Sequence, residues 1–139
     1  MAGATVTWTG QKTQFDVLGV RSGHHALADS AEPLGGGAGM KPTEMLLGAL
    51  GACAGVNAVL LLQKMRQPVS SLEIRVEGDQ EKDWPQKFTD IRIEFVLGWS
   101  GPTEDALVEK ALDQACHRYC PVHATLDAGV PISHRRTDL

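Results

Sequence analysis

Between Met45 and Gln63 the chain carries no charged residue, and Leu or Met occupies positions 45, 46, 47, 50, 60, 61 and 62. Pro42 and Thr43 favour a helix start just before this run, and Glu44 places an anion in the first turn, where the helix dipole favours it. A helix from about Thr43 to Arg66 is therefore predicted. It has no polar stripe of the kind a surface helix shows. Its ~19 uncharged residues would span ~28 Å, which raises a transmembrane span as a reading. Against that reading, Gly48, Gly51, Gly55 and Asn57 are poor lipid-facing residues, and the flanks read as β structure. The mean hydropathy of the whole chain is also only −0.14. The helix is better read as buried inside protein on all sides, its glycines letting other backbone come close. A small sheet covers only one face of such a helix, and 139 residues offer few other covers. The remaining face calls for a second copy of the chain, most simply in a two-fold homodimer.

Composition narrows the class. With 42% apolar and 22% charged residues over 139 positions, residues 1–139 suit one soluble globular domain. A net charge of −4 and a pI near 5.7 argue against a nucleic-acid surface, whose usual footprint is a basic patch. Three cysteines are too few and too odd in number for a disulfide scaffold. The N-terminus lacks a charged stretch followed by an apolar run, so no export signal is read and a reducing cytoplasm is expected. No membrane and no cofactor are expected.

The rest of the chain alternates between strands and helix. Thr5–Trp8, Gln14–Val20 and His24–Asp29 read as strands, and the loop Leu34–Met40 then breaks all periodicity. Val69–Glu77 carries Leu72, Ile74 and Val76 on one face, and Phe88–Leu97 carries Ile91, Ile93 and Phe95 likewise. Thr103-Glu104-Asp105 opens a second helix with Thr103 as its cap. Its apolar face is Leu107, Ala111, Leu112, Ala115, Cys116 and Tyr119. Pro121 interrupts it, a turn follows over 121–127, and a last strand lies near 130–134. His24-His25 and His134-Arg135-Arg136 are placed on solvated edges. The fold class expected is α+β.

Cys53 lies midway along the apolar helix and Cys120 where the second helix meets Pro121. Each sits on a core-facing helix, so the two could meet, one attacking and the other resolving; equally, each could be a small buried hydrophobe. Cys116, His117, Cys120 and His123 form a compact set that raises a metal site, but Pro121 breaks the helix beneath it and no second ligand pair exists. No metal is therefore assigned. Cys116 continues the Leu112–Ala115 face and is read as core. Gly35–Gly39 before a helix invites a phosphate loop, but Lys41 is followed by Pro42 and no Gly-Lys-Thr occurs; a weak anion site at the helix start is the remainder of that idea. Asn57, polar in an apolar helix, needs some partner, and one turn beyond Cys53 it could hydrogen-bond near that thiol.

Two segments resemble the OsmC/Ohr family of thiol-dependent peroxidases. Residues 39–53, GMKPTEMLLGALGAC, resemble its Pro-led central helix with an Ala/Gly-rich run into the peroxidatic cysteine. Residues 118–126, RYCPVHATL, resemble its signature around the resolving cysteine. The resemblance implies an intertwined α+β homodimer, with antiparallel-rich sheets around two long central helices. It implies reduction of a small hydrophobic organic hydroperoxide by Cys53, a Cys53–Cys120 disulfide, and re-reduction by an external dithiol. In the family a glutamate and an arginine keep the attacking thiol ionised. The family's peroxidases carry that glutamate directly after the proline, where this chain has Thr43, and Glu44 is displaced by one. Nine residues on, Cys53 would lie ~13.5 Å along the helix and on its opposite face. Arg21, the only N-terminal arginine, is the candidate for the family's. The chain resembles the less characterised OsmC-like branch more than the dedicated hydroperoxide reductases. The alternative function is a non-catalytic hydrophobic-ligand-binding or redox-sensing protein with buried thiols.

Overall fold

The computed structural model describes residues 1–139. Nine elements follow one another: β1 (Ala4–Trp8), β2 (Phe15–Gly19), β3 (His25–Ala28), α1 (Pro42–Lys64), β4 (Val69–Gln80), β5 (Phe88–Trp99), α2 (Asp105–His117), α3 (Pro121–Asp127) and β6 (Ile132–Asp138). Two three-stranded sheets and three helices make the class α+β, as expected. The chain divides into two compact units, Met1–Leu46 and Leu47–Leu139.

The N-terminal unit is an antiparallel sheet in the order β1-β2-β3. The glycine-rich loop after β3 is organised around Asp29, which is buried at 2% exposure. Its carboxylate accepts from Thr13 Oγ1 at 2.6 Å, Ser30 N at 2.8 Å, Gly36 N at 3.2 Å and Ala38 N at 3.0 Å. These bonds, that from Thr13 foremost, hold the carboxyl below its ordinary pKa. A Cβ at Gly35 would lie 2.3 Å from the Ser30 carbonyl oxygen, so the wrapping requires glycine there. The amide donors at 36 and 38 are spent on an internal carboxylate, which closes the anion-site reading of this loop. Glu44 is also used locally: its Oε1 accepts the Lys41 N–H at 2.9 Å. With α1 starting at Pro42, that is the backward half of a capping box.

In the C-terminal unit β4 and β5 form a long antiparallel hairpin, and β6 returns parallel to β5. β5 buries Ile91, Ile93, Phe95 and Leu97 against Leu50, Ala54, Ala58 and Leu62 of α1. α2 completes this core with Val108, Ala111, Leu112, Ala115 and Cys116. Each fully buried Leu, Ile, Val or Phe side chain contributes about 1.5–3 kcal/mol. The α1 residues of the core recur every fourth position, one ridge of the helix. The glycines act as expected at two positions: a Cβ at Gly51 would come within 2.9 Å of Val76 Cγ2, and one at Gly55 within 2.7 Å of Ile74 Cδ1. Buried on all sides is not what one chain achieves, because Val56 and Leu60 are 62% and 59% exposed. α1 is long and apolar enough to cross a membrane, yet its Leu50–Leu62 ridge lies in the chain's own core.

Other expectations need correction. The cap of α2 is Glu104, not Thr103, and no side chain of its own caps it. Instead the buried Gln67 reaches in: its Oε1 accepts the Glu104 N–H at 2.8 Å while its Nε2 donates to the Met65 carbonyl at 3.1 Å. Val108 replaces Leu107 as the fully buried residue of α2's first turn, and Tyr119 is exposed at 46%. Residues 121–127 form a short helix, since proline suits its first position. The last strand begins two residues later than expected and continues to Asp138. Its inward side chains are not solvated: His134 packs edge-on to Phe95, and Arg136 is tied to Asp105, Glu109 and Asp138.

Candidate active site

The residue before a proline is pushed out of the helical region, so Pro121 forces Cys120 into an extended conformation between α2 and α3. There Cys120 caps α3, its Sγ accepting the His123 N–H at 3.3 Å. The side chain is buried at 3% exposure. Cys53, half-buried in the middle of α1, packs against the same core cluster, which makes the two thiols neighbours. Burial first, and then the neighbouring Cys53 thiol, push the Cys120 thiol up to about 11, the N–H groups of His123 and Val122 partly offsetting them. Such a thiol stays protonated at neutral pH. Cys116, one turn earlier, is fully buried in the core, and desolvation pushes it up to about 12. All three thiols are free.

Asn57 joins the two cysteine segments. Its Nδ2 donates to the Cys53 carbonyl at 3.0 Å, one turn back on α1, and to the Tyr119 carbonyl at 3.3 Å. On the same linker, Arg118 Nε donates to the Tyr119 hydroxyl at 3.0 Å, and its guanidinium lies 5.4 Å from that ring's centre. The two charged candidates belong to the N-terminal unit. Glu44 is the α1 cap described above, and Arg21 sits exposed in the turn after β2.

Sequence reasoning missed a cluster of rings beside this segment. His117, at the end of α2, lies 4.8 Å from His123 of α3 and 5.8 Å from His134 of β6, centre to centre. Burial, then the neighbouring His117, holds both His123 and His134 below the ordinary histidine pKa. His123 and His117 stood in the sequence-level metal set, but nothing local pointed to His134 joining them. No three His, Cys, Asp or Glu side chains are spaced to hold a metal ion, so Cys116, His117, Cys120 and His123 do not form a ligand set.

Comparison with known proteins agrees with this architecture. Residues 35–135 match the model of the OsmC-like protein family. Protein YhfA of Escherichia coli K12 is 34% identical over 113 residues, which cover 81% of each chain. The OsmC-like protein of Mycoplasma pneumoniae superposes with a TM-score of 0.85 at 17% identity, over 100% of this chain and 97% of that one. The organic hydroperoxide resistance protein OhrB of Bacillus subtilis does so with a TM-score of 0.63 at 16% identity, over 99% and 98%. With cysteines on its central helix and after its second, and with the family model matching residues 35–135, the chain belongs to the OsmC-like protein family.

Proposed function

We propose that this protein is a thiol-dependent peroxidase that reduces organic hydroperoxides. The observation that carries the reading is that Cys53 packs beside Cys120 in one core cluster, two thiols remote in sequence. Cys53 is the less buried of the pair and the one a hydroperoxide can reach. Cys120, held protonated, suits the thiol that waits. In this scheme the Cys53 thiolate attacks the terminal peroxide oxygen and the O–O bond breaks. The products are a Cys53 sulfenic acid and an alkoxide, which takes a proton to leave as the alcohol. The Cys120 sulfur then attacks the sulfenic sulfur, expelling water and forming the disulfide, and an external dithiol returns two electrons by thiol–disulfide exchange. Relatives named for organic hydroperoxide resistance, such as the B. subtilis protein, support the substrate class. Residues 1–139 act as one OsmC-like domain in the cytoplasm, without cofactor or metal, and as a homodimer whose second copy covers Val56 and Leu60. Glu44 and Arg21 are proposed to support the thiolate of the partner copy, since on its own helix Glu44 lies too far along and on the opposite face from Cys53.

Steady-state turnover of an alkyl hydroperoxide with a dithiol tests this directly. Cys53→Ser is expected to abolish turnover, and Cys120→Ser to permit one round that stops at the sulfenic acid. Full activity in Cys53→Ser would overturn the proposal. A second reading, a redox-sensing or hydrophobic-ligand-binding protein, is favoured by one observation: Thr43 stands where the family's peroxidases have glutamate, and Glu44 is engaged in its helix cap. In that case hydroperoxide would form the disulfide without sustained turnover.

A further inference from the structure

Asn57 is the only amide or hydroxyl side chain on α1 between Met45 and Gln63, in a stretch that is otherwise apolar apart from Cys53. An amide side chain carries two N–H donors, and here one nitrogen serves two carbonyls on separate elements. The first is that of Cys53 itself. The second is that of Tyr119, whose peptide bond continues directly into Cys120. One side chain therefore ties the backbone that bears each thiol to the other.

The need for such a tie follows from the linker. Arg118, Tyr119 and Cys120 form the joint between α2 and α3. The Tyr119 N–H reaches back to the Gln114 carbonyl at 3.1 Å, and Cys120 accepts the Ala124 N–H on its carbonyl at 3.0 Å and the His123 N–H on its sulfur at 3.3 Å. These bonds run to α2 and α3, while that from Asn57 ties the joint to α1. A disulfide tolerates Cα separations of only about 4.4–6.8 Å, so a joint free to shift by an ångström or two spends less time within reach. Pinning Tyr119 raises the effective concentration of one thiol at the other, in the way that any pre-organised pair reacts faster and closes more completely.

We propose that Asn57 is a positioning residue that holds Cys120 over Cys53 and so sets how readily their disulfide closes. The proposal rests on Cys53 and Cys120 being the redox pair, but not on a hydroperoxide being the oxidant.

The test equilibrates the full chain in glutathione redox buffers and reads the Cys53–Cys120 disulfide by peptide mapping. In that reaction protein dithiol and glutathione disulfide give protein disulfide and two glutathione thiols, so atoms and electrons balance. Asn57→Leu removes both bonds. Asn57→Ser keeps a hydroxyl that can return to the Cys53 carbonyl but is too short to reach Tyr119. Both are expected to shift the equilibrium roughly tenfold toward the dithiol, about 30 mV. Asn57→Gln, which keeps the amide, should recover part of that shift. With stoichiometric alkyl hydroperoxide, both variants should lose the Cys53 thiol as fast as wild type yet accumulate sulfenic acid that a dimedone trap captures. Should Asn57→Leu fail to fold by circular dichroism, Asn57→Ser carries the comparison. Equal disulfide equilibria in wild type and Asn57→Ser would overturn the positioning role alone. A wild-type chain that closes the disulfide with glutathione but ignores hydroperoxide would overturn the peroxidase reading and leave Asn57's role standing. A wild-type chain that never closes it would overturn both.

Discussion

Gln67 illustrates how much one side chain can decide. It is 6% exposed, and its amide satisfies the N–H of Glu104, the cap of α2, from a residue that precedes two whole strands. Replacing it by alanine leaves that N–H without its partner, which costs about 1–3 kcal/mol. Urea unfolding of Gln67→Ala is expected to show that loss with an unchanged slope. No sequence rule could find this cap, because Thr103 satisfied the local capping preference and Gln67 belongs to no pattern. The cysteines were different: Pro121 and the Ala/Gly-rich run gave Cys120 and Cys53 recognisable surroundings. Asn57 was legible as a polar intrusion that needed a partner, while the identity of that partner, the Tyr119 carbonyl, exists only in three dimensions.

At the scale of elements, the sequence made the strongly periodic pieces plain. β4, β5 and α1 fall within a few residues of their expected limits because alternation and the uncharged run are strong signals. At α3 the local signal is ambiguous: Pro121 ends one helix and, in the same position, suits the first turn of the next, so the sequence reads as a turn where a helix forms. That β6 lies parallel to β5 depends on the whole path between them and leaves no local trace. The glycines of α1 give a graded prediction. In a helix interior Gly→Ala gains about 0.5–1 kcal/mol from backbone entropy. At Gly51 the new methyl meets Val76 Cγ2 at 2.9 Å, on a β-branched side chain with little freedom about χ1. At Gly55 it meets the Cδ1 end of Ile74 at 2.7 Å, an atom that can swing aside. Gly51→Ala is therefore expected to lower the melting temperature through overpacking of about 1–3 kcal/mol. Gly55→Ala should cost less despite the shorter approach, and the reverse order would refute this packing account.

For the molecule as a whole, the exposed Val56 and Leu60 on a helix whose other ridge is core argue for a second copy. Sedimentation should find no folded monomer at micromolar concentration, and Val56→Glu should dissociate the dimer or leave it aggregated. Stability should also depend on pH in a definite sense. His123 and His134 titrate lower in the folded chain than when unfolded, so below about pH 6.5 the unfolded chain binds more protons. Stability is then lost as pH falls from there through the folded-state values. Around the rings, Asp113 and Glu109 of α2 and Asp127 of α3 act in the opposite direction, but burial is the larger cause at both histidines. Asp29, Glu94 and Asp138, held below their ordinary values by hydrogen bonds, add a separate loss only in the carboxylate range. Denaturant midpoints measured from pH 7.5 to 5 should fall, and His123→Phe should flatten that slope. The central claim is that Cys53 and Cys120 act as one redox pair on a peroxide. Its most direct measurement adds one equivalent of alkyl hydroperoxide to the reduced protein and maps the thiols by peptide mass. Loss of two thiols per chain with a Cys53–Cys120 disulfide is the predicted result; three unchanged thiols would contradict it.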